Sequence, residues 1–173
     1  MIGQNPQRYE GLGFGNLSRR MPDSDHDAFI ISGTQTGHLE ELMPEDYATV
    51  TGCNPMANKV SAFGQTKPSS EALSHAILYQ TSPAILWVMH LHSPDIFNRY
   101  TELNLPYSDP SAEYGTPEMA LEIKRLAAGH DCSKPGFIVM AGHQDGILAF
   151  GNDAEATGRL VLATLERAKE LSC

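Results

Sequence analysis

The run Ala84-Ile85-Leu86-Trp87-Val88-Met89 leads directly into His90-Leu91-His92. It shows no alternation of apolar and polar residues. A strand of that kind is covered on both faces, which calls for a layered fold rather than a sheet open to water on one side. The run is far below the roughly 20 apolar residues that cross a membrane. Other segments supply the covering. Pro68 and Ser69 start a helix expected over 69–80, with Ser69 as its cap and Ala72, Leu73, Ala76 and Ile77 on one face. Thr116-Pro117-Glu118 opens a second helix that ends at Gly129. Asn152-Asp153 caps a third, whose apolar stripe is Leu160, Val161, Leu165 and Ala168. Ala28-Phe29-Ile30-Ile31 and the segments 136–141 and 146–150 read as further strands, and Gly11-Leu12-Gly13-Phe14-Gly15-Asn16 as a turn or loop. Helices set between buried strands predict a mixed α/β sandwich.

The chain has 173 residues, enough for one domain with a sizeable core, and one domain over 1–173 is expected. Lys and Arg number 12 against 21 Asp and Glu, a formal charge of −9. Nucleic acid is therefore an unsuitable partner, since neutralising phosphates takes a basic stripe. The first residues carry no apolar signal core, and Cys53, Cys132 and Cys173 form no CxxC pair. Together these predict a cytoplasmic protein with neither a disulfide framework nor a cysteine zinc site.

His90 and His92 are two apart on a strand and so project from the same face. Two imidazoles on one face are half of a catalytic metal site. The alternative is a pair of partly buried histidines hydrogen-bonded at the strand end. His143, in Gly142-His143-Gln144-Asp145-Gly146, lies at another strand end and is the candidate third ligand; alone, it would read as an exposed turn histidine. His26, His38 and His130 read as surface residues, and His75 as a helical partner of Glu71 four residues before it. Glu71 is the candidate acid/base. It follows Ser69 and Ser70 at a helix start, where an acid is favoured by the dipole in any case and where backbone N–H groups and two hydroxyls could receive an anion. Gly15-Asn16 and Thr36-Gly37 are candidate further donors.

In their order, these residues resemble the class II aldolase/adducin family. Gly15-Asn16-Leu17-Ser18-Arg19-Arg20 matches its G-N-x-S-x-R motif, Thr34-Gln35-Thr36-Gly37 its T-P-[ST]-G loop, and Pro68-Ser69-Ser70-Glu71 and His90-Leu91-His92 follow. Tyr114-Gly115-Thr116-Pro117-Glu118-Met119 and Ala141-Gly142-His143 complete the series. The resemblance implies a three-layer α/β/α sandwich around a mainly antiparallel sheet, assembled as a homotetramer. It implies a metal held by His90, His92 and His143. Zinc comes first by analogy, although such a site also accepts manganese, cobalt or nickel. Glu71 would move the proton, while Gly15, Asn16, Thr36, Gly37, Ser69 and Ser70 would receive a phosphate. The implied activity is an aldolase-type lyase acting on a small phosphorylated hydroxy-carbonyl sugar through an enediolate whose charge the metal stabilises. Epimerase, dehydratase and decarboxylase activities are the alternatives within the family.

Two features depart from the pattern. Gln144 and Asp145 separate His143 from the next glycine, which makes Asp145 a candidate extra ligand or a partner of one. The family's catalytic tyrosine has only Tyr100 and Tyr107 as nearby candidates. Competing readings are a non-catalytic, adducin-like interaction module and a cupin-type metal protein. Intact Glu71 and histidines argue against the first, and Ser93-Pro94-Asp95-Ile96-Phe97, where a cupin needs a glutamate, against the second.

Overall fold

The apolar segment becomes a central strand, Trp87–His92, with a neighbour on each side. The structure is a computed structural model that describes residues 1–22 and 28–171. In chain order its elements are β1 (Gly3–Gln4), β2 (Gly13–Phe14), β3 (Asn16–Arg20), β4 (Phe29–Ser32), β5 (Tyr47–Asn54), β6 (Lys59–Gly64), α1 (Ala72–Thr81), β7 (Trp87–His92), α2 (Pro94–Phe97), α3 (Pro117–Ala128), β8 (Gly136–Val139), β9 (Gly146–Gly151) and α4 (Ala154–Glu170). β1 and β2 form a small ribbon. The other seven strands make one sheet in the order β6-β5-β4-β3-β7-β9-β8, with every pair of neighbours antiparallel.

Strand alternation separates two cores. Val88 of β7, Leu148 and Phe150 of β9 and Phe29 and Ile31 of β4 face α1 and α3, which contribute Leu78, Tyr79, Met119 and Ile123. Leu91, Ile147, Ala149 and Val139 face the opposite way, towards Ile96 of α2 and Val161 and Ala168 of α4. This is the expected three-layer arrangement. Both later helices are capped as their sequences indicate: Thr116 Oγ1 accepts from the Met119 N–H, and Asp153 Oδ1 from the Ala156 N–H at 2.7 Å. No helix among the described residues is long and apolar enough to cross a membrane.

Some boundaries differ from the sequence expectation. β7 starts at Trp87 instead of Ala84, because residues 82–85 turn back under Arg20, which donates to the carbonyls of Tyr79, Ser82 and Ile85. The segment read as a glycine-rich loop contains β2 and the start of β3, where Asn16 pairs with His90. The first long helix starts at Ala72, not Ser69. Pro68 is still extended, bridged to Gly33, so a turn must intervene; there Ser69 Oγ accepts from the Glu71 N–H. Ser69 thus supports the turn before the helix, and Glu71 occupies the N-cap.

Candidate active site

Register brings the candidate residues together. His90 and His92 share the α1-facing side of β7, and Asn16 lies opposite His90 on β3. His92 pairs with Gly146 at the start of β9. The chain reaches Gly146 through a tight turn in which the His143 N–H bonds to the Met140 carbonyl and the Gly146 N–H to that of His143. Asp145 adopts φ 61° there, so the two residues after His143 fit within the turn. A Cβ at Gly146 would lie 2.9 Å from the His143 ring, so glycine is what lets this imidazole fold back over β9. The result is a group of three histidines, each offering a ligand atom, all within 4.8 Å of one another.

Bonding within the group suits a cation. His90 Nδ1 lies 3.1 Å from the Ile147 carbonyl, so Nδ1 carries the proton and Nε2 keeps its lone pair. That lone pair faces His92 Nε2 at 3.1 Å. Two ligands of a tetrahedral zinc would lie about 3.4 Å apart. Nδ1 of His92 and of His143 is buried without a hydrogen-bond partner, a costly arrangement for imidazoles left to themselves. Burial holds His90 and His143 down to about 4, and burial with the neighbouring His90 and His143 holds His92 down to about 3. All three are therefore neutral at pH 7, the form in which an imidazole binds a metal. The residues fit a divalent ion.

Glu71 is 4% exposed. Ser74 donates to its Oε2 at 2.7 Å, and Oε1 lies 3.9 Å from His143 Nδ1. Asn16 Nδ2 donates to Ser69 Oγ at 2.8 Å, leaving Asn16 Oδ1 buried without a partner, while Ser70 is exposed. Thr36 Oγ1 donates to the Gly33 carbonyl, so its proton serves the loop. Glu71, the three histidines and Gly15, Asn16, Thr36, Gly37, Ser69 and Ser70 all line a single cleft of about 380 Å³.

Other expectations need correction. His75 does not rely on Glu71 for its side-chain contact; fully buried, it meets Ser18 Oγ through Nδ1 at 2.6 Å, because it faces the sheet rather than the helix surface. His130 is half-buried, edge-on to Phe150 at 5.5 Å. His38 is exposed as expected, and His26 lies outside the described residues. Tyr100 and Tyr107 pack on each other at 4.7 Å and do not line the cleft. Two other tyrosines line it: Tyr114, read in the sequence only as part of a helix-start motif, and Tyr9, which the sequence did not single out. Tyr114 stacks on His143 at 4.5 Å, brought there because Gly142 admits the Ala112 carbonyl, which a Cβ would meet at 1.8 Å. Tyr9 packs on His92 at 4.6 Å. Asp145 is not among the three clustered ligands; its carboxylate accepts from the Tyr9 hydroxyl at 2.6 Å and pairs with Arg8.

A family model, the class II aldolase and adducin N-terminal domain, matches residues 7–98. The chain belongs to the class II aldolase/adducin family. The matched segment ends just beyond the His90-Leu91-His92 motif. Among curated proteins, a methylthioribulose-1-phosphate dehydratase from Xanthomonas oryzae pv. oryzae is 35% identical over 81 residues, 46% of this chain and 31% of that protein. The chain thus aligns with about a third of this relative's length. Among solved structures, YgbL from Escherichia coli, described as a putative aldolase/epimerase/decarboxylase, has a TM-score of 0.67 at 22% identity, covering 90% of this chain and 76% of YgbL. An L-fuculose 1-phosphate aldolase has a TM-score of 0.66 at 22% identity, covering 92% and 74%. At these identities the two structures establish a shared fold.

Proposed function

We propose that the chain is a single catalytic domain, a metal-dependent lyase acting on a small phosphorylated hydroxy-carbonyl sugar. The observation that carries this reading is the meeting, in one cleft, of three neutral histidines, a buried carboxylate and a rim of hydroxyl and amide groups. His90, His92 and His143 hold a divalent ion, zinc before manganese, cobalt or nickel. Bound there, the ion supplies Lewis-acid polarisation of a carbonyl or hydroxyl oxygen.

Glu71 moves the proton at the carbon next to the substrate carbonyl. Ser74 fixes one of its oxygens, and the other remains on the histidine side. Gly15, Asn16, Gly37, Ser69 and Ser70 receive the phosphate, together with Thr36, whose part is to shape the loop that carries Gly37 because its hydroxyl is bonded to the Gly33 carbonyl. No lysine or arginine of these motifs lines the cleft, so the anion is held by neutral donors. Proton transfer at that carbon serves loss of water as well as carbon–carbon cleavage. The name of the Xanthomonas relative favours loss of water as the first reaction to test. The enzyme works as a homotetramer in the cytoplasm, in keeping with the unpaired Cys53 and Cys132.

The test is a panel of phosphorylated and free ketoses that includes methylthioribulose 1-phosphate and fuculose 1-phosphate, offered to the metal-loaded protein. A phosphorylated ketose should be turned over, and Glu71→Gln should lower kcat by about 10²–10⁴-fold while metal is retained. Preference for an unphosphorylated sugar, or full turnover by the Gln variant, would contradict the assigned roles.

A further inference from the structure

His90 and His92 are supported in different ways. His90 is steered by a hydrogen bond from Nδ1 to the Ile147 carbonyl. A metal-binding histidine ordinarily has such a partner on its second ring nitrogen. His92 has none, its Nδ1 being buried and unpartnered. Its support comes instead from the first fourteen residues. The Met1 carbonyl accepts from the His92 backbone N–H at 2.9 Å. The Tyr9 ring meets the imidazole edge-on, with centroids 4.6 Å apart and planes at 70°, and Phe14 adds a tilted contact at 5.6 Å.

We infer that Tyr9 is a positioning residue that sets the orientation of His92 by ring packing, with Asp145 and Arg8 as its anchors; the inference rests on the metal reading above. Tyr9 is itself held tightly. Its hydroxyl donates to Asp145 Oδ2 at 2.6 Å and accepts from Arg8 Nη2 at 2.5 Å, and the guanidinium lies 4.8 Å from its ring centre. The phenol is committed to this network, so the face it offers the site is its ring. Tyr9 and Glu10 have φ of 49° and 57°, a left-handed conformation that residues with a Cβ adopt only where their surroundings impose it. Asp145 belongs to the turn that carries His143. One turn therefore delivers a candidate ligand and also anchors the residue that orients another.

Cobalt(II) binding to the whole chain tests this directly, read as affinity by chelator competition and as the visible ligand-field spectrum. Tyr9→Ala should weaken binding by about 10–100-fold and change the spectrum. Tyr9→Phe keeps the ring but loses the hydroxyl's bonds to Asp145 and Arg8, so it should weaken binding several-fold, less than Tyr9→Ala does. Asp145→Ala leaves the ring in place but removes its anchor. It should weaken binding several-fold and shift the spectrum, which keeps the inference testable if Tyr9→Ala fails to fold. Unchanged affinity and spectrum in folded Tyr9→Ala, or in Asp145→Ala, would overturn the positioning role while leaving the metal reading intact. An unaltered chain that takes up no cobalt would overturn the metal reading and this inference with it.

Discussion

At the scale of single residues, burial governs the site's chemistry. His90, His92 and His143 are held at about 4, 3 and 4, chiefly because a charged imidazole there would lose its water. In the unfolded chain the same groups take up protons near pH 6.5. Between about pH 4 and 6.5 the unfolded state therefore binds more protons, and stability falls as the pH falls through that window. Metal-free protein should become less stable from pH 7 to pH 5, with each histidine contributing up to about 1.4 kcal/mol per pH unit below 6.5. Denaturant unfolding in the presence of chelator would measure this, and a flat profile over that range would contradict the burial of the three rings. The shared face of His90 and His92 was legible because a strand has a period of two. His143 was legible only through its motif and strand-end position. Tyr9 was not legible at all, because its anchor, Asp145, is 136 residues away in sequence and no local pattern encodes that contact.

At the scale of elements, β3 explains why one short motif does two jobs. Asn16, Ser18 and Arg20 alternate onto the same face. Asn16 reaches the cleft through Ser69, whereas the other two tie the strand to α1. Ser18 Oγ meets His75 and the Tyr79 hydroxyl at 2.6 and 2.7 Å. Arg20 closes the end of α1 and the turn into β7 by donating to three carbonyls, and its guanidinium lies 4.9 Å from the Tyr79 ring centre. Removing those charged donors leaves partly buried carbonyls unsatisfied. Arg20→Ala should cost about 3 kcal/mol in denaturant unfolding, with metal-site residues untouched. A loss within about 0.5 kcal/mol, typical of an ordinary surface change, would show that the turn holds without it. The sequence marked the helices well, since caps and stops are local. It missed β5 and β6 and mistook the role of His75, whose partner Ser18 lies 57 residues away on β3, a contact that no local spacing encodes.

At the scale of the whole molecule, the two faces of the sheet are covered unequally. α1 and α3 bury Phe29, Ile31 and Val50, but on the opposite face Ile30 is 39% and Phe63 64% exposed. They belong to one row across the sheet: Phe63 pairs with Thr49, Thr49 with Ile30, Ile30 with Arg19, and Arg19 with Trp87. Such a face is a natural contact between subunits. Light scattering should give a mass of about four chains, and Phe63→Glu should lower it; a monomer at working concentration would contradict the assembly.

Whether the three histidines hold a catalytic metal is decided by metal analysis of the purified protein beside His92→Ala. The unaltered protein should carry about one divalent ion per chain, lost in the variant while circular dichroism and the unfolding midpoint of the metal-free protein stay close to those of the unaltered chain. Equal metal content in both proteins, or turnover by an unaltered chain stripped of metal, would contradict a catalytic metal there.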